Sequence, residues 1–217
     1  MSANSNVRPT TVALVVVLLF GAILFYLGTD GFAAYTTEQA RLVRLSETQP
    51  PFPPDVTLED SRGRSYSISE FADRYVFVTF FYSSCPTVCV ELERNMEQVY
   101  DRLPRSMLGK DIVFLSVSFD PDRDDPERLE KYRRFFESDG ETWRMARVND
   151  RTELDRLLEG FGVIVIPDDS GGFAHNSAFY LIDPAGSLVN VMDYEDVDGA
   201  AEKVIGILEK GKGGASL

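Results

Sequence analysis

The chain has two cysteines, Cys85 and Cys89, and one histidine, His175, among 217 residues. Both cysteines stand in "CPTVC", where the apolar run "YVFVTFFY" gives way to a charged stretch of helical period. Pro86 suits the first turn of a helix, which would make Cys85 its N-cap and set Cys89 one turn further on, with both sulfurs on one side. Free backbone N–H groups and the helix dipole at that end favour thiolate over thiol. Such a pair can close as a redox disulfide, or it can grip a soft metal ion from two sides. Three intervening residues, rather than the two usual in thiol oxidoreductases, suit a metal clamp or a less strained redox pair. A purely structural staple is the weaker reading, because closing so short a loop restrains the unfolded chain little.

His175 lies in "IPDDSGGFAHNSAFYLID", a glycine-bearing loop just before a buried strand. A lone histidine is more often an ordinary surface or core residue than a ligand. If the fold brings it to the cysteines, two thiolates and an imidazole make a soft, three-coordinate site that suits Cu(I). Structural zinc would want a fourth protein ligand, and none is evident. The acidic run Asp120, Asp122, Asp124 and Asp125 invites a hard-metal reading, but it lacks the glycine and closing glutamate of a calcium loop. Helix capping by Asp125 and a solvated turn explain it better. Asp120, at a strand end, is a candidate to support the metal site from outside the ligand set.

The elements that must position these residues follow from periodicity. "VTLEDSRGRSYSI" reads as two short strands around a turn at Ser61-Arg62-Gly63. "YVFVTFFY" and "DIVFLSVSF" are strands buried on both faces. Between them, Cys89, Leu92, Met96, Val99 and Leu103 mark one face of a helix. Asp125 and Pro126 open a second helix. A short strand over Met145–Val148 and a helix over Thr152–Phe161 come next. A hairpin then turns at Asp183-Pro184-Ala185-Gly186, and a last helix runs from about Gly199 to Lys210. That order is α/β with a central sheet flanked by helices, and a thioredoxin-like fold suits it, with cysteines at a strand-to-helix junction. In that fold the loop of His175 lies beside the cysteine helix.

Ahead of this domain, residues 10–29 carry no charge and match the thickness of a bilayer core. A cleaved signal peptide is the alternative, with Gly31 and Ala33 as a weak cleavage pattern, but its apolar part is usually shorter. The expected organisation is a tail over 1–9, a transmembrane anchor over 10–29 and a stalk over 30–54 that ends in the extended "QPPFPPD". A domain over 55–210 and a frayed tail over 211–217 complete it. The tail before the span is too short for a mitochondrial targeting peptide. A single-pass bacterial inner-membrane protein is expected, with its domain in the periplasm, where disulfides persist. The net charge of −13 disfavours nucleic acid as a partner, since phosphates want a basic surface.

In "CPTVC", in "SVSFDPDRDDPERLEKY", and in a histidine followed closely by "YLIDPAG", the chain resembles the Sco/SenC copper proteins of cytochrome c oxidase assembly. The resemblance covers essentially the whole chain. It implies that Cys85, Cys89 and His175 are copper ligands, for Cu(I) and also for Cu(II). It further implies a membrane-anchored chaperone, without turnover, that matures the dinuclear copper site of a terminal oxidase. The implied partners are the oxidase's copper-bearing subunit or another copper enzyme, and a copper donor protein. The alternative is a thiol-disulfide oxidoreductase that keeps the client's copper-ligand cysteines reduced. Three positions depart from the family pattern. Thr87 stands where an acidic residue is frequent, Val90 replaces a proline after the second cysteine, and Ala174 replaces an aspartate before the histidine.

Overall fold

In the computed structural model, residues 7–28, 37–85, 87–169 and 171–214 are described. The chain divides into two units, Met1–Glu47 and Thr48–Leu217.

The first unit holds α1 (Val7–Gly28) and α2 (Thr37–Thr48). At 1.5 Å per residue α1 is about 33 Å long, and its apolar stretch Pro9–Gly28 is long and apolar enough to cross a bilayer. Thr29, Gly31 and Ala33, the end of the expected span and the cleavage positions, lie outside the described residues. The expected stalk is helical over Thr37–Thr48, where Glu38 and Arg41 pair across one turn.

In the second unit the proline-rich stretch does not stand free. Phe52 is buried with its ring 5.7 Å from Phe161, its N–H donates to the Gly186 carbonyl at 2.8 Å, and Pro51 bridges Ser187. An aromatic side chain in the spacer gives it something to bury, which an extended linker lacks.

The strands are β1 (Leu58–Asp60), β2 (Ser65–Tyr66), β3 (Tyr75–Phe81), β4 (Ile112–Ser118), β5 (Trp143–Val148), β6 (Val165–Pro167), β7 (Phe173–His175), β8 (Phe179–Ile182) and β9 (Leu188–Met192). The helices are α3 (Val88–Arg102), α4 (Pro126–Phe135), α5 (Arg151–Gly160) and α6 (Val197–Gly214). Seven strands make one sheet in the order β2-β1-β5-β4-β3-β8-β9, with β3, β4 and β5 parallel and the rest antiparallel to their neighbours. β6 and β7 form a separate hairpin.

Packing on both faces explains why β3 is apolar but for Thr79. Phe77 meets Phe114 and Phe179 on one face, where α3 adds Tyr100 against Phe114 and α4 stacks Tyr132 on Phe81. Phe80 meets Phe161 and Tyr180 on the other. The five residues from Cys89 to Leu103 that mark one helical face are all buried, each apolar side chain contributing roughly 1.5–3 kcal/mol by leaving water. The α/β, thioredoxin-like arrangement expected from the element order is the one found.

Four local expectations need correction. β5 starts at Trp143 rather than Met145, and α6 continues to Gly214, so 211–214 are helical; residues 215–217 lie outside the described residues. The loop of His175 is a hairpin: three-residue strands with little burial around Gly171 and Gly172 carry almost no periodic signal. The helix of the cysteines begins at Val88 with Thr87 as N-cap, not at Cys85, and Pro86 lies outside the described residues.

Candidate metal centre

Sheet register brings the site residues together. β3 and β4 run parallel with Phe81 opposite Ser118, so both leave the sheet at the same edge. β3 leads there into the turn from Tyr82 to Cys85, and β4 into the acidic loop. β8 runs antiparallel to β3, with Tyr180 opposite Val78, so the residues entering β8, His175 among them, arrive at that edge too. Carboxyl ends of parallel strands are where open α/β sheets place ligand sites.

Cys85 closes the turn after β3, its N–H donating to the Tyr82 carbonyl at 3.3 Å. Although it stands before the N-cap, its sulfur does the work of a cap. The Cys89 N–H, one of the free donors of the first helical turn, points at Cys85 Sγ at 3.3 Å. The two sulfurs therefore approach through a turn folded back on the helix start, rather than through helical spacing. Burial raises the Cys85 pKa, but N–H donors from Cys89 and Thr87 outweigh it and hold the thiol below its ordinary value. Cys89 is the opposite case: fully buried, it is pushed well above the thiol range, first by desolvation. Both are free thiols.

His175 sits at the end of β7, paired with Val165 of β6. Its Nε2 lies 3.3 Å from Cys89 Sγ, and its Nδ1 lies 3.1 Å from the Asn176 carbonyl. A carbonyl can only accept, so Nδ1 carries the hydrogen and Nε2 presents its lone pair to the Cys89 thiol. The ring is packed between Phe119, at 5.0 Å, and Tyr82, at 6.1 Å. Desolvation there lowers its pKa and keeps the imidazole neutral, the form that binds metals.

Cys85, Tyr82, Arg123, Phe173 and His175 line one open cleft of about 700 Å³. Among the described residues, no three His, Cys, Asp or Glu side chains are already gathered around a point that could hold a metal ion. The Cys89 sulfur is hydrogen-bonded to His175 and carries a proton that a metal would have to replace. The donors themselves, two sulfurs and a neutral imidazole nitrogen, fit a soft ion.

The acidic run divides by function. Asp125 caps α4, accepting from the Arg128 N–H at 2.8 Å, and Asp122 pairs with Arg151. Asp124 is fully buried and accepts from the Ser83 N–H at 2.9 Å. Asp120 is buried, its pKa raised by desolvation, and it pairs with Arg123. Arg123, Tyr82 and Phe119 had no place in the sequence reading of the site. Only their position at the ends of the two central strands hinted at one.

A model of the SCO1/SenC family matches residues 46–210. An SCO1 homologue of Bacillus subtilis is 24% identical over 65% of this chain and 72% of its own length. The human mitochondrial SCO1 homologue, also 24% identical, is spanned over only 45% of its length. Yeast Sco1, solved with copper bound, superposes with a TM-score of 0.60 at 22% identity, over 71% of this chain and 86% of that one.

Proposed function

The chain belongs to the SCO1/SenC family, and from that premise we propose that its second unit binds Cu(I) through Cys85, Cys89 and His175 and passes it to a copper enzyme. The observation that carries this reading is the approach of His175 Nε2 to Cys89 Sγ at 3.3 Å, beside a Cys85 sulfur held by the Cys89 N–H. The client is the copper-bearing subunit of a terminal cytochrome c oxidase, whose dinuclear site would be loaded or matured. Copper is cargo in this account, received from a donor protein. α1 tethers the domain to a bacterial inner membrane, facing the periplasm, as a single-pass anchor.

Cu(II) demands more charge than Cu(I), and Ala174 supplies none beside His175. Cu(I) is therefore the form the site favours, with Cu(II) held more weakly.

The test is anaerobic titration of residues 46–217 with Cu(I). One ion per chain is expected, with two sulfur neighbours and one nitrogen by X-ray absorption. A stoichiometry unaffected by Cys89→Ser would reject the site.

A second reading, thiol-disulfide oxidoreductase, is favoured by the inequality of the two thiols. Cys85, with its lowered pKa, would attack a client disulfide and release one client thiolate, giving a mixed disulfide. Cys89, after losing its proton, would resolve that bond and leave the client reduced and this chain oxidised. His175 forms no covalent or metal bond in those steps, which separates the two readings.

A further inference from the structure

The ligand-bearing pieces of the site come from separate parts of the fold. The cysteines follow β3 of the main sheet, whereas His175 rides on a hairpin outside that sheet. Something has to set the distance between them. We propose that the loop joining β4 to α4, together with the first turn of α4, is a bracket that does so, with Arg123 and Asp120 holding the histidine hairpin and Arg128 and Asp124 holding the cysteine turn. The inference rests on the copper reading for its purpose, but the bracket itself is a matter of geometry.

One arm grips the turn that ends in Cys85. Buried Asp124 accepts from the N–H and the hydroxyl of Ser83, and from the Ser118 hydroxyl at 2.5 Å. Arg128 donates from Nε to Ser83 Oγ at 2.6 Å and from Nη2 to Ser84 Oγ at 3.1 Å. Both serines directly precede Cys85. Ser83 is thus held through its backbone and hydroxyl, and Ser84 through its hydroxyl.

The other arm grips the hairpin. Arg123 donates from Nη1 to the Gly171 carbonyl at 2.6 Å, while its Nε is held by Asp120. The same guanidinium lies over the Phe173 ring, 5.3 Å from its centre. Phe173 packs against Tyr82 and Phe119, and its N–H donates to the Tyr82 hydroxyl at 3.2 Å. His175 is two residues beyond, on the same strand and the same side of the hairpin. A planar fork fixed by a carboxylate at one nitrogen and a carbonyl at another sets direction as well as distance, which a lysine would not do. The hairpin turn itself depends on its two glycines. Gly171 has φ +81°, and a Cβ on Gly172 would come within 2.8 Å of the Asp168 carboxylate.

The bracket is stiff because the loop is closed on itself and anchored behind. The N–H groups of Arg123 and Asp124 donate to the Asp120 carbonyl at 3.1 and 2.9 Å. Arg147 of β5 donates to the Pro121 carbonyl at 2.7 Å and pairs with Glu59 of β1. In Arg123–Asp120 and Arg128–Asp124 the carboxylates are buried but the guanidiniums are partly exposed, so either arginine can be replaced without opening the core. Their effect is positional.

The experiment uses the full chain in detergent, with Arg123→Ala, Arg123→Lys and Arg128→Ala. Hydrogen exchange by mass spectrometry, without metal, should rise in the hairpin of Arg123→Ala while the turn from Tyr82 to Cys85 stays protected. Arg128→Ala should give the reverse. With Cu(I), Arg123→Ala should lose the nitrogen neighbour in X-ray absorption, keep both sulfurs, and bind at least about tenfold more weakly. Arg128→Ala should keep the nitrogen. Arg123→Lys should behave as the alanine variant. An Arg123→Ala protein with wild-type hairpin exchange and an intact nitrogen ligand would overturn the bracket, and so would exchange that rises equally everywhere. A wild-type chain that takes up no Cu(I) defeats the copper reading instead, and the exchange arms then decide the bracket alone.

Discussion

His175 turns its Nε2 toward the Cys89 sulfur at 3.3 Å while its other nitrogen is committed to the Asn176 carbonyl. The tautomer is thereby fixed, and the lone pair that would meet a metal is aimed at the more buried of the two thiols. Cys89 holds its proton against that lone pair because desolvation disfavours its thiolate. In the proposed site, a metal ion would replace that hydrogen bond and displace the proton.

His175→Ala separates delivery from reduction. The variant should lose about tenfold or more in Cu(I) affinity, because two thiolates alone hold the ion in a different geometry. It should also fail to support oxidase copper loading in cells. Its thiol exchange should stay near normal, since both sulfurs remain. Cu(I) competition titration and oxidase activity at limiting copper are the measurements. Full oxidase activity in the variant would move the assignment to the reductase.

Oxidation and copper should exclude one another. A Cys85–Cys89 disulfide removes both sulfur ligands, so oxidised protein should bind no Cu(I), and bound Cu(I) should slow disulfide formation. Thiol trapping with and without the ion reads this directly; equal rates would argue against shared sulfurs. In the metal-free protein, alkylation should reach Cys85 first at neutral pH, since its thiol is stabilised as thiolate and lies at the cleft. Peptide mapping after a short pulse would show the order.

Glu93 should make the domain lose stability as pH rises. It is fully buried one turn beyond Cys89, accepts from the Ser116 hydroxyl at 2.9 Å, and leaves Oε1 without a hydrogen-bond partner. Desolvation pushes its pKa from 4.5 to about 8. Below the lower value the carboxyl is protonated whether folded or not. Between the two values the unfolded chain ionises and the folded chain does not, so stability falls as pH climbs. Glu93→Gln removes this group and should flatten the profile, gaining about 4 kcal/mol over wild type at pH 8 if the full shift is realised. Urea denaturation of residues 46–217 at pH 5, 6.5 and 8 would show it. Parallel profiles for the two proteins would mean that Glu93 is ionised in the fold.

Sequence by itself determined the elements whose signal is periodic or chemical. The largely apolar, uncharged runs of β3 and β4 required strands buried on both faces, and the spacing from Cys89 to Leu103 required one buried helical face. Asp125-Pro126 announced the start of α4, and the two cysteines and single histidine announced the candidate ligands. Tertiary structure decided how those ligands meet. Cys85 joins Cys89 through a turn whose sulfur caps the helix, a geometry that no residue spacing encodes. His175 arrives on a hairpin too short and too exposed to show a period, placed by the antiparallel register of β8 against β3. Nothing in the sequence singles out Arg123. Only the parallel pairing of β3 with β4 puts it, with Asp120, between the two halves of the site, because contacts between strand ends depend on register across the sheet and not on separation along the chain.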